Sequence, residues 1–236
     1  MSSATGGSST EDPVERGDAA APPPASEEDW SAGILVPRTE RGFRTQERLL
    51  EAAKEIFVRD GFLDAKITDI TALARMSSGS FYTYFDSKEA IFTAVIRKVN
   101  EGLYVAASVP TGSSRDPLER FELVTRAYVR AYQENAGLLA ILEQVATISP
   151  RFREMRRNIR QIFRNRSEKG IRRLQNEGRV DPTLSPRCVA EAITSMVSNF
   201  CYVWLVLGED YEEEEVIQTL TTLWASGIGL KPAAGS

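Results

Sequence analysis

The sequence predicts an all-α protein of about nine helices, an N-terminal three-helix unit followed by a larger helical domain. Three observations carry that expectation. Beyond Arg38, apolar residues recur every three or four positions, the period of a helix with one buried face. No segment of useful length alternates apolar and polar residues as a half-buried strand does. Three times a capping residue is followed at once by proline, as Asp116–Pro117, Ser149–Pro150 and Ser185–Pro186. There a fixed φ and a dispensable N–H suit the first helical position.

Each element follows in order. Residues 1–37 are rich in Ser, Gly, Ala and Pro. They carry seven acids (Glu11, Asp12, Glu15, Asp18, Glu27, Glu28, Asp29) against Arg16 alone, net −6. Such a segment cannot bury enough apolar surface to offset its ordering entropy. Residues 1–38 therefore read as a disordered acidic tail; a tail that competes for a basic face of the body is the alternative. Leu49, Leu50, Ala53, Ile56 and Phe57 mark the first helix, and Gly61 stops it. Ile67, Ile70, Leu73 and Ala74 mark a short second helix, and Ser78 to Phe85 a third. Asp86 and Glu89 have the spacing of a capping box, opening a fourth helix with Ile91, Phe92, Val95 and Val99 on its apolar face. The three proline-started helices follow, and Asp210 is expected to cap the last one, with acids in its first turn. The unit boundaries are placed at 39–98 and 99–236.

Composition narrows the function. The chain has 236 residues, a formal net charge of −4, 42% hydrophobic and 26% charged residues, and no histidine. The missing imidazole excludes Ser–His–Asp and Cys–His catalysis and His-ligated metals. With no phosphate-loop pattern and no pair of closely spaced cysteines, no enzyme, metal or cofactor is expected. Two cysteines do not make a disulfide framework. Cys188 and Cys201 fall on one predicted helix, ~20 Å apart, and read as buried small hydrophobes. The longest uncharged run, Ala192–Gly208, is shorter than the ~20 apolar residues of a spanning helix, so it reads as a buried helix rather than a membrane segment. No apolar run follows a basic start, so no signal peptide is expected and the compartment reads as cytoplasmic. Outside the tail the charge is even: residues 38–98 hold eleven bases and nine acids. That argues against a sequence-independent nucleic-acid packager.

Residues 67–85 read ITDITALARMSSGSFYTYF. Two short helices joined by a turn of three or four residues form a helix-turn-helix. A helix entering a groove ~12 Å wide needs small or hydrogen-bonding leading residues, and Ser77, Ser78, Gly79 and Ser80 supply them. Tyr82 and Tyr84 offer hydroxyls to phosphate or a base edge, Lys88 offers a point charge, and Phe81 and Phe85 read as core anchors.

From Arg44 to Ile96 the sequence resembles the DNA-binding domain of the TetR (tetracycline-repressor) family of bacterial transcriptional regulators. ERLLEAAKEIFVRDGF is similar to that family's first helix. GSFYTYFDSKEAIF is similar to its recognition helix and the start of its fourth. The chain departs from the family pattern at Lys66, where Thr is usual, at Thr71, where Ala is usual, and at Arg75, where Gly is usual in the turn. A non-glycine residue at positive φ costs about 1 kcal/mol, so the turn is expected to be kept under slight strain, or Arg75 to reach phosphate. The resemblance implies DNA-facing residues at Arg44, Thr45, Lys66, Thr68, Ser78, Gly79, Ser80, Tyr82, Tyr84 and Lys88. It implies a homodimeric regulator, a ligand-released repressor on a palindromic operator, with an effector-binding and dimerisation domain at 99–236.

For that domain the sequence offers candidates. Val189, Ile193, Met196, Val197, Phe200 and Trp204 line one late helix; Val216, Leu220, Leu223 and Trp224 line the other. Of these, Val189, Ile193, Val197, Trp204, Val216, Leu220, Leu223 and Trp224 are the expected dimer interface. The expected effector pocket is lined by Phe121, Tyr128, Tyr132, Leu142, Phe152, Phe163 and Phe200. Its apolar character favours a hydrophobic small molecule. Residues 151–173 hold ten bases and two acids. They read as a solvated face paired with acids such as Glu212–Glu215, with an anionic effector as the sharper alternative.

Overall fold

The computed structural model describes residues 33–108, 114 and 116–231. Among these there are nine helices and no strand, only an isolated antiparallel bridge between Ile34 and Phe85. The helices are α1 (Glu40–Asp64), α2 (Ile67–Leu73), α3 (Ser78–Phe81), α4 (Lys88–Ala106), α5 (Pro117–Gln133), α6 (Ala136–Ile148), α7 (Pro150–Asn176), α8 (Pro186–Leu205) and α9 (Glu213–Gly227).

α1 buries the apolar positions its spacing marks, from Leu49 to Phe57. Gly61, at φ 74°, breaks the helical backbone, and Phe62 beyond it is buried. Left-handed backbone is open to glycine because it has no Cβ. α5, α7 and α8 each begin at the expected proline. Ser149 and Ser185 accept hydrogen bonds from the backbones of Phe152 and Cys188. Asp116 makes no such bond and instead stands 3.6 Å from Arg179.

Two other caps lie elsewhere than expected. α4 is capped by Ser87, whose Oγ accepts from the Ala90 N–H at 3.1 Å. Asp86 accepts instead from the Ser87 hydroxyl, and its own N–H is held by the Gly33 carbonyl at 3.0 Å. α9 starts at Glu213, so Glu212, not Asp210, sits at its N-cap position. Three acids in its first turn face the positive end of the helix dipole.

The tail expectation is also corrected where it can be seen. Residues 1–32 lie outside the described residues. Leu35 donates its N–H to Tyr84 at 2.9 Å, Gln46 donates to the Leu35 carbonyl, and Ile34 packs on the core. The end of the segment called 1–38 is therefore pinned beside the helix-turn-helix. The paired backbone and the partly buried Ile34 side chain offset the entropy that the composition argument counts against order.

One core runs through both units. Phe57, Phe62 and Phe92 from α1 and α4 meet Phe152 of α7. The centroids lie 5.1 Å apart for Phe62–Phe152 and 5.2 Å for Phe92–Phe152, both edge to face. α4 itself passes without interruption through the expected boundary at 98/99. A second, smaller cluster gathers Ile171, Leu174, Val180, Trp224 and Ile228. α8 is long and apolar enough to cross a membrane by length and composition alone. The expectation that it is buried is overturned within this chain, where Ala190 and Cys201 alone on α8 are fully buried. Cys188, near its start, is exposed; its position in the first turn leaves it clear of the packed face.

Candidate nucleic-acid interface and internal cavity

α2 and α3 form the two arms of the turn motif. α2 ends in a left-handed turn made by Arg75 at φ 54°, the only non-glycine residue of positive φ among those described. The Met76 N–H reaches the Thr71 carbonyl at 2.8 Å and the Arg75 N–H reaches Ala72 at 3.0 Å. That pair of bonds is the Schellman arrangement, which satisfies carbonyls otherwise left orphaned at a helix end. Arg48 of α1 donates to the Ala74 carbonyl and clamps the same turn. Thr71, where the two arms meet, is buried; its hydroxyl donates to Thr68 and lies 3.4 Å from that of Ser78.

α3 is shorter than expected, a single turn from Ser78 to Phe81 with turn residues after it. The Ile34–Phe85 bridge and the Leu35–Tyr84 bond draw residues 84–85 into extended pairing. Ser77 caps the turn, its hydroxyl accepting from the Ser80 N–H and lying 2.8 Å from the Ser80 hydroxyl. Phe81 and Phe85 are wholly buried, as expected of anchors.

The residues expected to face DNA fall into two groups. Lys66, Thr68, Ser78, Gly79 and Tyr82 are exposed together on the α2–α3 edge, Tyr82 at 55% with its ring edge-on to Phe81. Arg44 is exposed at the start of α1, 3.5 Å from Glu40, and Thr45 donates to the Arg41 carbonyl. Ser80 and Tyr84 are half-buried, Tyr84 against the core. Lys88 is turned inward: its ammonium donates to the carbonyls of Leu63 and Ala65 at 2.8 and 3.0 Å and lies 4.9 Å from the Phe62 ring centre. It closes the end of α1, a role its sequence position does not announce.

Behind this unit α4, α5, α6, α7 and α8 enclose a cavity of about 660 Å³, within the range of small-molecule sites. Of the seven effector-pocket candidates, Phe121, Tyr128, Tyr132, Leu142 and Phe163 line it. Phe152 and Phe200 do not. Phe152 belongs to the aromatic cluster with Phe62 and Phe92, and Phe200 packs against Tyr211 at 5.1 Å. Burial holds the Tyr128 and Tyr132 phenols protonated, well above the usual range. The wall also carries Asn100, Thr125, Glu143, Arg156, Arg160 and Arg166, so it is more polar than the aromatic candidates suggested. Thr125 shares a helical face with Phe121, Tyr128 and Tyr132, and Arg156 and Arg160 share one with Phe163. That periodicity was the available signal.

The basic helix pairs with acids other than those expected. Arg156 meets Glu143 at 2.5 Å, and Arg160 and Arg164 share Glu191 at 2.9 and 3.2 Å. Glu213 and Glu214 pair with Arg126 and Arg130 of α5, which raises the Arg126 guanidinium and lowers the Glu214 carboxyl. The expected interface residues divide similarly. Val216, Leu220 and Trp224 are buried within the chain, with Trp224 stacked on Phe121 at 4.4 Å. Ile193 and Val197 line the cavity. These five are spent internally because α9 packs its apolar stripe on α5, and α8 turns one edge inward to close the cavity. Leu223 is 55% exposed, and Val189 and Trp204 are half-buried.

Comparison with known proteins agrees with this geometry. Residues 49–95 match the family model described as bacterial regulatory proteins, tetR family. Residues 114–228 match the tetracyclin repressor-like C-terminal domain. The chain is 28% identical over 175 residues to the HTH-type transcriptional regulator YdgC of Bacillus subtilis (strain 168), covering 71% of this chain and 85% of that one. It is 25% identical over 150 residues to the HTH-type transcriptional repressor DhaR of Mycobacterium sp. (strain GP1), covering 62% and 75%. The fold superposes on a TetR-family regulator from Syntrophomonas wolfei with a TM-score of 0.69 and 21% identity, covering 82% of this chain and all of that one. With a helix-turn-helix presented on one face and two family models spanning the N-terminal and C-terminal units, the chain belongs to the TetR family of bacterial transcriptional regulators.

Proposed function

We propose that this chain is a cytoplasmic, ligand-released repressor that binds a palindromic operator as a homodimer. The observation that carries the reading is the α2–α3 edge, where Lys66, Thr68, Ser78, Gly79 and Tyr82 stand in solvent on a fully buried Phe81–Phe85 base. Small and hydrogen-bonding groups at that edge suit a major groove. Arg44 and Thr45 flank it as backbone contacts, with Ser80 and Tyr84 behind the leading residues. Lys88 acts by position, holding the end of α1.

The incompletely buried α8, with Leu223 of α9, supports a second copy packing there. Two helices from each subunit would form a four-helix seam, joined by Val189 and Trp204. The cavity supports a small-molecule effector. Its walls in α6 and α7 also touch the DNA-reading unit: Lys54 of α1 bonds Asn135 just before α6 at 2.9 Å, and Phe152 of α7 sits among Phe62 and Phe92. A ligand that favours one arrangement of these helices changes the spacing of the two reading edges, and binding and release are thereby linked.

The test is selection of bound fragments from the source genome by the full-length chain. The expected result is a site of twofold symmetry, with half-site centres about 34 Å apart or a multiple of it. Recovery of fragments with no shared sequence, at an affinity set by salt alone, overturns the reading.

A further inference from the structure

Three hydroxyls on one face of α5 bear on what the cavity takes. Thr125, Tyr128 and Tyr132 recur at helical spacing, and all three line it. Thr125 is 2% exposed and Tyr132 5%. The Tyr128 and Tyr132 ring centres lie 6.0 Å apart, and Tyr128 stands edge-on to Phe163. None of the three hydroxyls has a hydrogen-bond partner among the described residues. Their neighbours in α4 behave otherwise. The buried Thr93 returns its hydroxyl to the Glu89 carbonyl at 2.8 Å, and the Asn100 amide donates to the Ile96 carbonyl at 2.9 Å. The α5 hydroxyls are not among the chain's sealed-off polar atoms, so they open on the cavity that their side chains line.

A buried tyrosine hydroxyl ordinarily finds a partner, and one left without costs stability. Burial, with the Cys201 thiol and Glu143 nearby, holds both phenols protonated, so they donate. Sharing those two neighbours, they meet at one end of the cavity. The cations of the wall are already engaged. Arg156 meets Glu143 at 2.5 Å, Arg160 bonds Glu191 and Ser195 at 2.9 and 2.6 Å, and Arg166 donates to the Tyr104 carbonyl at 2.8 Å. A carboxylate entering here would lose its water beside Glu143. What the wall still offers is hydroxyl donors set in an apolar surface that includes Leu139, Leu142, Phe163 and Val197. A carbonyl oxygen has two lone pairs and no proton, so it accepts from both phenols while the rest of the molecule lies on the apolar wall. Resting on the effector reading above, we infer that the cavity takes an uncharged apolar carbonyl compound whose oxygen is held by Tyr128 and Tyr132, with Thr125 as a further donor along the same face. Ketones, lactones and esters share this chemistry.

The experiment is calorimetry on the full-length chain with probes of matched size: 2-undecanone, γ-undecalactone, methyl decanoate, 2-undecanol and undecanoic acid. At least one of the three uncharged carbonyl compounds should bind about tenfold more tightly than the alcohol and the acid, and the tightest of them names the subclass. The double variant Tyr128→Phe, Tyr132→Phe keeps both rings and removes only the hydroxyls. It should bring the carbonyl compound down to the affinity of 2-undecanol. Without ligand it should melt no lower than the parent, because these hydroxyls bond nothing else among the described residues. The acid or the alcohol binding as tightly as all three carbonyl compounds, no binding by any probe, an undiminished double variant, or a lowered melting temperature overturns the inference. Operator release is measured separately. A carbonyl compound that binds through both phenols and leaves the operator bound supports the inference and sinks the effector reading. Undecanoic acid that releases the operator while no carbonyl compound binds overturns the inference and leaves the effector reading standing.

Discussion

Single residues set the reading edge and its strain. Tyr82 is exposed and supports nothing beyond its edge contact with Phe81. Tyr82→Ala should therefore weaken operator binding about tenfold, with an unchanged melting temperature; a folded variant of undiminished affinity removes Tyr82 from the interface. Arg75 holds a left-handed turn that glycine would hold without strain. Arg75→Gly should add about 1 kcal/mol of stability and raise the melting temperature about 3 °C. The same variant tests whether the guanidinium touches phosphate: if it does, the salt dependence of binding falls by about one charge. Burial pushes the Cys201 thiol up to about 12, because the buried thiolate lacks solvation. At pH 8 only about one thiol in ten thousand is then ionised. Cys201 should resist alkylation in the folded chain and react on denaturation, which mass spectrometry reads directly. The positive φ at position 75 was legible because a turn residue in this motif has few backbone options. The inward turn of Lys88 was not, because its carbonyl partners at Leu63 and Ala65 exist only once α1 has ended and α4 has folded against it.

Among the elements, starts marked by proline were legible to the residue, and starts marked by acids were not. Pro117, Pro150 and Pro186 can occupy the first helical position but not the interior. Asp86 and Asp210 can each cap a helix or bond a neighbour, and the Asp86 carboxylate takes the Ser87 hydroxyl while Ser87 supplies the cap. Ser87→Ala should therefore cost about 1 kcal/mol by removing the α4 cap, as a denaturant titration would measure. A loss confined to Asp86→Ala would reverse that assignment. α8 shows the limit of hydropathy. Its composition marks it as apolar, but whether its own chain or another copy covers it depends on where α9 docks. That docking is decided by the Phe121–Trp224 stack and by Arg126 between Glu122 and Glu214.

For the whole molecule, fold class and helix order were readable because the 3.6-residue period persists through the chain. Pocket membership was less so, since an aromatic at helical spacing serves a cavity or a core equally well. Phe152 and Phe200 went to packing for reasons of tertiary position alone. Phe152, on the helix that carries Arg156, Ile159, Arg160 and Phe163 of the cavity wall, packs on Phe62 and Phe92 of the reading unit. Phe152→Leu should lose about 1 kcal/mol of edge-to-face contact and leave operator affinity intact. It should also reduce the effect of ligand on that affinity; an undiminished response would move the coupling elsewhere. The unbroken course of α4 bears on anyone who would dissect this regulator. Cutting after Lys98 severs a rod in mid-span and strips the greasy side of Phe62 and Phe92 of its lid. An excised reading fragment should consequently clump at low concentration, while the intact chain melts in one step.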